Sequence, residues 1–140
     1  MRFGVRLADG GSLPSVGAQG ALSLPAGARG PAFLLLPNFR LLLRYNNSTA
    51  YALSVGHLAD RLRGSSAFVQ PWPRGDRTLA TSERKELQLL LGQRGFAVGE
   101  PDGKLGPKTR AAVRAYQAAV GLIPDGYADP LLLERLRQER

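Results

Sequence analysis

One spacing, present in two copies, constrains this chain more than any other feature in it. Pro101-Asp102-Gly103 is followed by Pro107, and Pro124-Asp125-Gly126 by Pro130. Asp-Gly supplies a residue that tolerates positive φ, and proline suits the first position of a helix. Each copy therefore predicts a tight turn that hands the chain to a helix start. The stretch between them predicts a helix from about Pro107 to Val120, with Ala112, Val113, Tyr116 and Val120 inward. Before the first copy, Leu87, Leu90 and Leu91 mark the buried face of another helix, with Thr81 or Ser82 as its cap and Gly95 at its end. A third helix is expected from Pro130 to about Arg137, capped by Asp129. Three short helices with Asp-Gly loops can bury one small core, although a domain this small sits near the lower limit for folding alone.

Taken together, Leu87, Gly95, Asp102-Gly103, Leu105-Gly106, Thr109, Ala112-Val113, Tyr116-Gln117, Gly121-Leu122 and Asp125-Gly126 resemble the three-helix peptidoglycan-binding domain found at the ends of bacterial wall hydrolases. The resemblance implies a shallow groove beside the second helix that docks peptidoglycan, through its stem peptides. Leu105, Thr109, Arg110, Tyr116 and Gln117 are the candidate binding residues. The residues themselves leave a second reading open. Gly103, Gly106, Thr109 and Ala112 also suit turn geometry, a cap and close helix packing, and Arg110 and Arg114 suit a solvated helix face.

The first part of the chain differs in character. Residues 1–82 carry nine Arg against Asp9, Asp60 and Asp76, a balance of +6, whereas residues 83–140 carry only +2 of the total +8. Such a balance suits an anionic partner: nucleic acid, a membrane surface or the carboxylates of peptidoglycan peptides. Phe3 to Leu7, Ala21 to Leu24 and Ala32 to Leu36 read as strands of a small antiparallel sheet. Pro37-Asn38 opens a helix with Phe39, Leu42, Leu43 and Asn46 on one face. Asn46-Asn47-Ser48 breaks it, since these side chains compete for backbone hydrogen bonds. Asn47 or Ser48 then caps a second helix, Thr49 to Leu62, whose apolar face is Ala52, Val55, Ala59 and Leu62. The proline-punctuated stretch 66–78 reads as a linker. Its Trp72, the single Trp, either packs the linker against a domain or stacks on sugar.

Gly30 to Phe39, Arg44-Tyr45-Asn46-Asn47-Ser48 and Tyr51 to Leu62 resemble the C-terminal part of the catalytic domain of the lytic murein transglycosylase B family. The Tyr-Asn-x-Ser-x-x-Tyr-Ala element is the most specific piece. The resemblance implies cleavage of the β-1,4 bond between N-acetylmuramic acid and N-acetylglucosamine, with a 1,6-anhydro product. It places Tyr45, Asn46, Ser48 and Tyr51 at the glycan cleft. The residue types suit that role: an amide both donates and accepts, and a tyrosine offers a sugar an apolar ring and a hydroxyl tip. Core aromatics and a capping asparagine are the alternative.

Glycosidic cleavage requires a carboxylic acid to protonate the leaving oxygen. The family resemblance implies a single Glu that acts first as acid and then as base, in a portion before the region represented here. This chain has no Glu before Glu83. It has no Cys, so disulfides and thiolate metal sites are excluded. No further ligands at metal spacing accompany His57, which is assigned a structural role. Asp60 is expected to face solvent or pair with a nearby Arg. The Gly-rich stretch 99–106 lacks phosphate-loop spacing, and no cofactor is implied.

The expected fold class is therefore mainly α (α+β): an N-terminal fragment of a lysozyme-like catalytic domain (1–65) with a small sheet and two helices, a linker (66–78), and a three-helix peptidoglycan-binding domain (79–140). The expected function is peptidoglycan binding within a lytic transglycosylase, inactive by itself and without a catalytic residue of its own. A non-catalytic wall-binding protein is the alternative. A basic nucleic-acid binder is disfavoured, because the helical part carries too little charge and the basic part lacks Lys/Arg clusters beside aromatics. The expected molecule is a monomer, associated with the periplasmic cell wall by family implication, with no apolar run near the ~20 residues a membrane helix needs. Neither does Met1 to Arg6 begin a signal peptide, so the chain is expected either to remain unexported or to lack its true start.

Overall fold

The computed structural model describes residues 7, 11–13, 17 and 19–139. Its elements run β1 (Ala21–Ser23), a 3-10 turn (Gly27–Arg29), β2 (Phe33–Leu35), α1 (Phe39–Tyr45), α2 (Thr49–Leu62), α3 (Thr81–Gln93), α4 (Pro107–Ala119) and α5 (Pro130–Gln138). The mixed, helix-dominated class expected from sequence is the one observed. Two compact units are present. One holds the described residues up to Ser23 together with Pro31–Pro71, and the other holds Leu24–Gly30 with the described residues from Trp72 onward.

In the first unit β1 and β2 pair antiparallel, with Leu22 opposite Leu34. Of the expected first strand, Phe3 to Arg6 lie outside the described residues. Leu7 is not in a strand, and its N–H donates to the Gly11 carbonyl at 2.9 Å. Phe39, Leu42 and Leu43 are the half-buried face of α1, as its spacing predicts. Asn46 does not extend that face, because the backbone there is already extended (φ −141°) and the side chain is exposed. Ser48 is the cap of α2: its Oγ accepts the Tyr51 N–H at 3.2 Å. Ala52, Val55 and Ala59 face inward, but Leu62, expected to join them, is 81% exposed in the last turn. Phe68 lies between Phe33 (edge-on, 5.5 Å) and His57 (stacked, 3.9 Å). His57 thus packs flat against an aromatic ring. Asp60 is exposed beside Arg63, at 3.9 Å.

The second unit contains the hydrophobic core. Leu79, Leu87, Leu91, Ala112, Val113, Tyr116, Leu132, Leu133 and Leu136 are buried together, with Leu90, Phe96, Val98, Val120 and Leu122 packed around them. Enclosing each of these leucines contributes roughly 2 kcal/mol toward the ordering cost of the three short helices. The start of α3 departs from expectation. Its cap position is Ala80, and Thr81 and Ser82 lie within the first turn. An alanine offers no acceptor, so Glu83 reaches back and takes the Ala80 N–H at 2.8 Å. In the last helix Asp129 caps as expected, its Oδ1 accepting the Leu132 N–H at 2.7 Å.

Arg77 donates two bonds of 2.7 Å to Glu83. That guanidinium, aided by the Ala80 N–H, lowers the Glu83 carboxyl from its ordinary value of 4.5 to about 2. A carboxyl held low in the folded state stabilises the fold above its unfolded value, and the contribution disappears as pH falls toward the folded one. Denaturant midpoints are therefore expected to hold steady above about pH 4.5 and to fall between there and about pH 2. The variant Glu83→Gln, which keeps an acceptor for Ala80 but has no charge to lose, should make that slope shallower in urea titrations followed by circular dichroism, leaving the part that Glu86, Asp102 and Glu139 contribute.

Candidate functional site

The break between α1 and α2 presents the candidate glycan-facing residues. Tyr45 ends α1 and is 84% exposed, while Tyr51 opens α2 at 39%. Their rings stack at 6.3 Å with 27° between planes. The break is tight: the Asn46 carbonyl accepts the Ser48 N–H at 2.7 Å, and the Asn46 N–H returns to Leu42 at 3.0 Å. Asn46 thereby closes α1 with its backbone and leaves its amide side chain outside. Ser48 is engaged as the cap of α2. The sequence thus brings Tyr45, Asn46, Ser48 and Tyr51 to one corner, where two aromatic rings and one amide are open and the serine serves the scaffold.

The five candidates in the second unit divide differently. Tyr116 is 2% exposed in the core, and its hydroxyl donates to Glu139 at 2.7 Å. Thr109 is buried, its Oγ accepting from Gln88 Nε2 at 3.1 Å. Gln117 is buried beneath the second Asp-Gly loop. Leu105 is half-buried, and Arg110 is exposed, its Nε donating to the Leu105 carbonyl at 3.1 Å. Only this last pair meets solvent.

Gln117 shows what the repeated spacing is for. Its Oε1 accepts the Gly126 N–H at 2.8 Å and its Nε2 donates to Asp125 Oδ1 at 2.8 Å. The same clamp recurs one helix earlier: Gln88 Oε1 accepts the Gly103 N–H at 2.7 Å and Nε2 donates to Asp102 Oδ1 at 3.3 Å. Each aspartate also accepts the N–H two residues on, from Lys104 and from Tyr127, at 2.8 Å. The turn and the preceding helix thus form one hydrogen-bonded unit, used twice. Gln88 escaped the sequence reading, although the parallel between Leu87-Gln88 and Tyr116-Gln117 was the available signal.

The carboxyls of the chain bear on its chemistry. Glu83 and Glu86 are paired with Arg77 and Arg137, and Glu139 with Arg135 and Tyr116. All three are held below the ordinary carboxylate range by those donors. Among the described residues there is no group of three His, Cys, Asp or Glu placed to hold a metal ion.

Comparison with known proteins places these features. Residues 1–60 match the transglycosylase SLT domain, and residues 80–136 match the putative peptidoglycan binding domain. The chain joins an SLT-type transglycosylase region to a peptidoglycan-binding-type domain. Among solved structures it is similar to SltB3 from Pseudomonas aeruginosa in complex with NAG-anhNAM-pentapeptide, at 52% identity and a TM-score of 0.92, over 97% of this chain and 37% of that one. It is likewise similar to SltB3 in complex with NAG-NAM-pentapeptide, at 53% identity and a TM-score of 0.87, over 92% and 35%. The chain thus spans little more than a third of those relatives. No curated protein matches it significantly.

Proposed function

We propose that this chain grips and docks peptidoglycan for a lytic transglycosylase without performing the cleavage. The observation that carries this reading is the exposed, stacked Tyr45–Tyr51 pair with Asn46 beside it, in the region that matches the SLT domain. Stacked aromatic faces bordered by an amide suit a sugar ring and its N-acetyl group. The peptidoglycan ligands of the solved relatives support the same substrate class. In the second unit, Leu105 and Arg110 are the candidate contacts left at the surface for stem peptides. Thr109, Tyr116 and Gln117 would serve there by shaping the framework. A periplasmic, wall-associated protein fits this role, and no described helix is long and apolar enough to cross a membrane.

The region matching the SLT domain contains no Glu, which supports the reading that the proton donor lies outside this chain. Incubated with peptidoglycan sacculi, the purified chain should sediment with them and release no 1,6-anhydro-muropeptides. Tyr45→Ala should weaken retention while changing stability by less than about 0.5 kcal/mol, because that ring is open to solvent. Accumulation of anhydro products would refute the missing-donor reading. Unchanged retention would remove Tyr45 from the binding surface.

A further inference from the structure

The two Asp-Gly loops share one internal clamp, and the second also holds a turn from far away in the chain. Asp125 uses Oδ1 for its own loop, and its Oδ2 accepts the Ala28 N–H at 2.7 Å. The neighbouring Arg29 donates through Nη2 to Asp129 Oδ2 at 2.8 Å and to Asp76 Oδ2 at 3.1 Å. Gly27 has φ +66°, and a Cβ there would lie 2.6 Å from Asp125 Oδ2 and 2.9 Å from Tyr127 Cβ. Ala26, Gly27 and Gly30 are buried. The 3-10 turn therefore fits by shape, by a backbone donor and by a guanidinium between two carboxylates. Three aspartates from two stretches of the second unit, Asp76 and the loop that carries Asp125 and Asp129, converge on it.

We propose that Asp76, Asp125 and Asp129 form a docking surface for a Gly-Ala-Arg turn, and that Leu24–Gly30 is its built-in occupant. The second loop is in this view a receptor made from a duplicated scaffold. The carboxylate oxygen left over after the internal clamp supplies the recognition, and Asp129 adds a second anchor with the oxygen its helix cap does not use. A charge-assisted bond to a backbone N–H and a shared guanidinium are stronger than neutral contacts, so the turn should be held more tightly than an ordinary surface loop.

Asp125→Asn separates the two functions of that side chain. Its carbonyl oxygen can still accept from Tyr127 and Gln117, while its amide nitrogen would point a donor at the Ala28 N–H. In the full chain, amide hydrogen exchange at Ala28 should rise on the order of tenfold or more in this variant. The matched change in the first loop, Asp102→Asn, should leave Ala28 unaffected. Arg29→Met, which leaves the second loop itself untouched, should also raise exchange at Ala28 without altering Tyr127. Protection of the α4 and α5 amides should persist in all three. Unchanged exchange at Ala28 in both Asp125→Asn and Arg29→Met would overturn the proposal. Loss of α4 protection along with Ala28 in Asp125→Asn would also overturn it, since the carboxylate would then be serving the domain core.

Discussion

Replacing Gln88 with leucine should cost about 3 kcal/mol and lower the thermal midpoint of the second unit by roughly 10–20 °C. The side chain is 1% exposed. It accepts from Gly103 N at 2.7 Å and donates toward Asp102, Lys104 O and Thr109 at 3.1 to 3.3 Å. Leucine has a similar volume, so little of the penalty comes from a cavity. The penalty arises because the Gly103 N–H would remain enclosed with its partner gone, and an unmade buried bond costs more than a made one contributes. Gln88→Glu should be at least as damaging at neutral pH. It keeps an acceptor for Gly103, but turns a second carboxylate oxygen toward Asp102 and the Lys104 carbonyl. Thermal melts by circular dichroism give the result directly. An unchanged midpoint for both variants would mean that the turn holds itself.

That clamp also shows where the sequence was legible. Turn and helix starts were readable because their signals are local: Asp-Gly tolerates one backbone state and proline favours another. The cap of α5 by Asp129 and the inward face of α4 follow from the same kind of rule. The cap of α3 was misread because Thr81 and Ser82 are favoured cap residues. Instead, the chain uses Ala80 with a carboxylate three residues on, a capping box with one half missing. Leu62 was placed inward by periodicity, which cannot tell the last turn of a helix from its middle.

Other features depended on partners distant in the chain. Nothing near Ala28 indicates that its N–H meets a carboxylate 97 residues away. Around Gln88 the sequence offers only its parallel with Gln117, and a glutamine on a helix is ordinarily solvated. At the candidate site, the Tyr45, Asn46 and Tyr51 pattern was visible and its exposure was not. Helical spacing alone was compatible with two core aromatics. The early end of α1 at Asn46, one residue after Tyr45, turns that ring out to solvent.

The second large effect is expected at Gly103, and its argument is one of space more than of hydrogen bonding. Gly103 sits at φ +80°, where an L-residue costs about 1 kcal/mol. Gly95 sits at almost the same angle, φ +83°, with nothing within 4 Å of where a Cβ would stand. A Cβ on Gly103 would lie 3.0 Å from the Thr81 carbonyl oxygen and 2.9 Å from Thr81 Cγ2. Thr81 is the first residue of α3, so its carbonyl cannot retreat without loosening the turn that Glu83 caps. Gly95→Ala should therefore cost about 1 kcal/mol and Gly103→Ala about 3. Urea unfolding of the two variants side by side isolates the crowding, because the backbone term is common to both. Equal losses would show that α3 yields at its first turn and that the glycine is required for its angle alone. A larger loss at Gly103 would mean that the loop and the start of α3 are packed as one body, so that the glycine of each Asp-Gly pair is fixed by what lies against it as much as by the turn it makes.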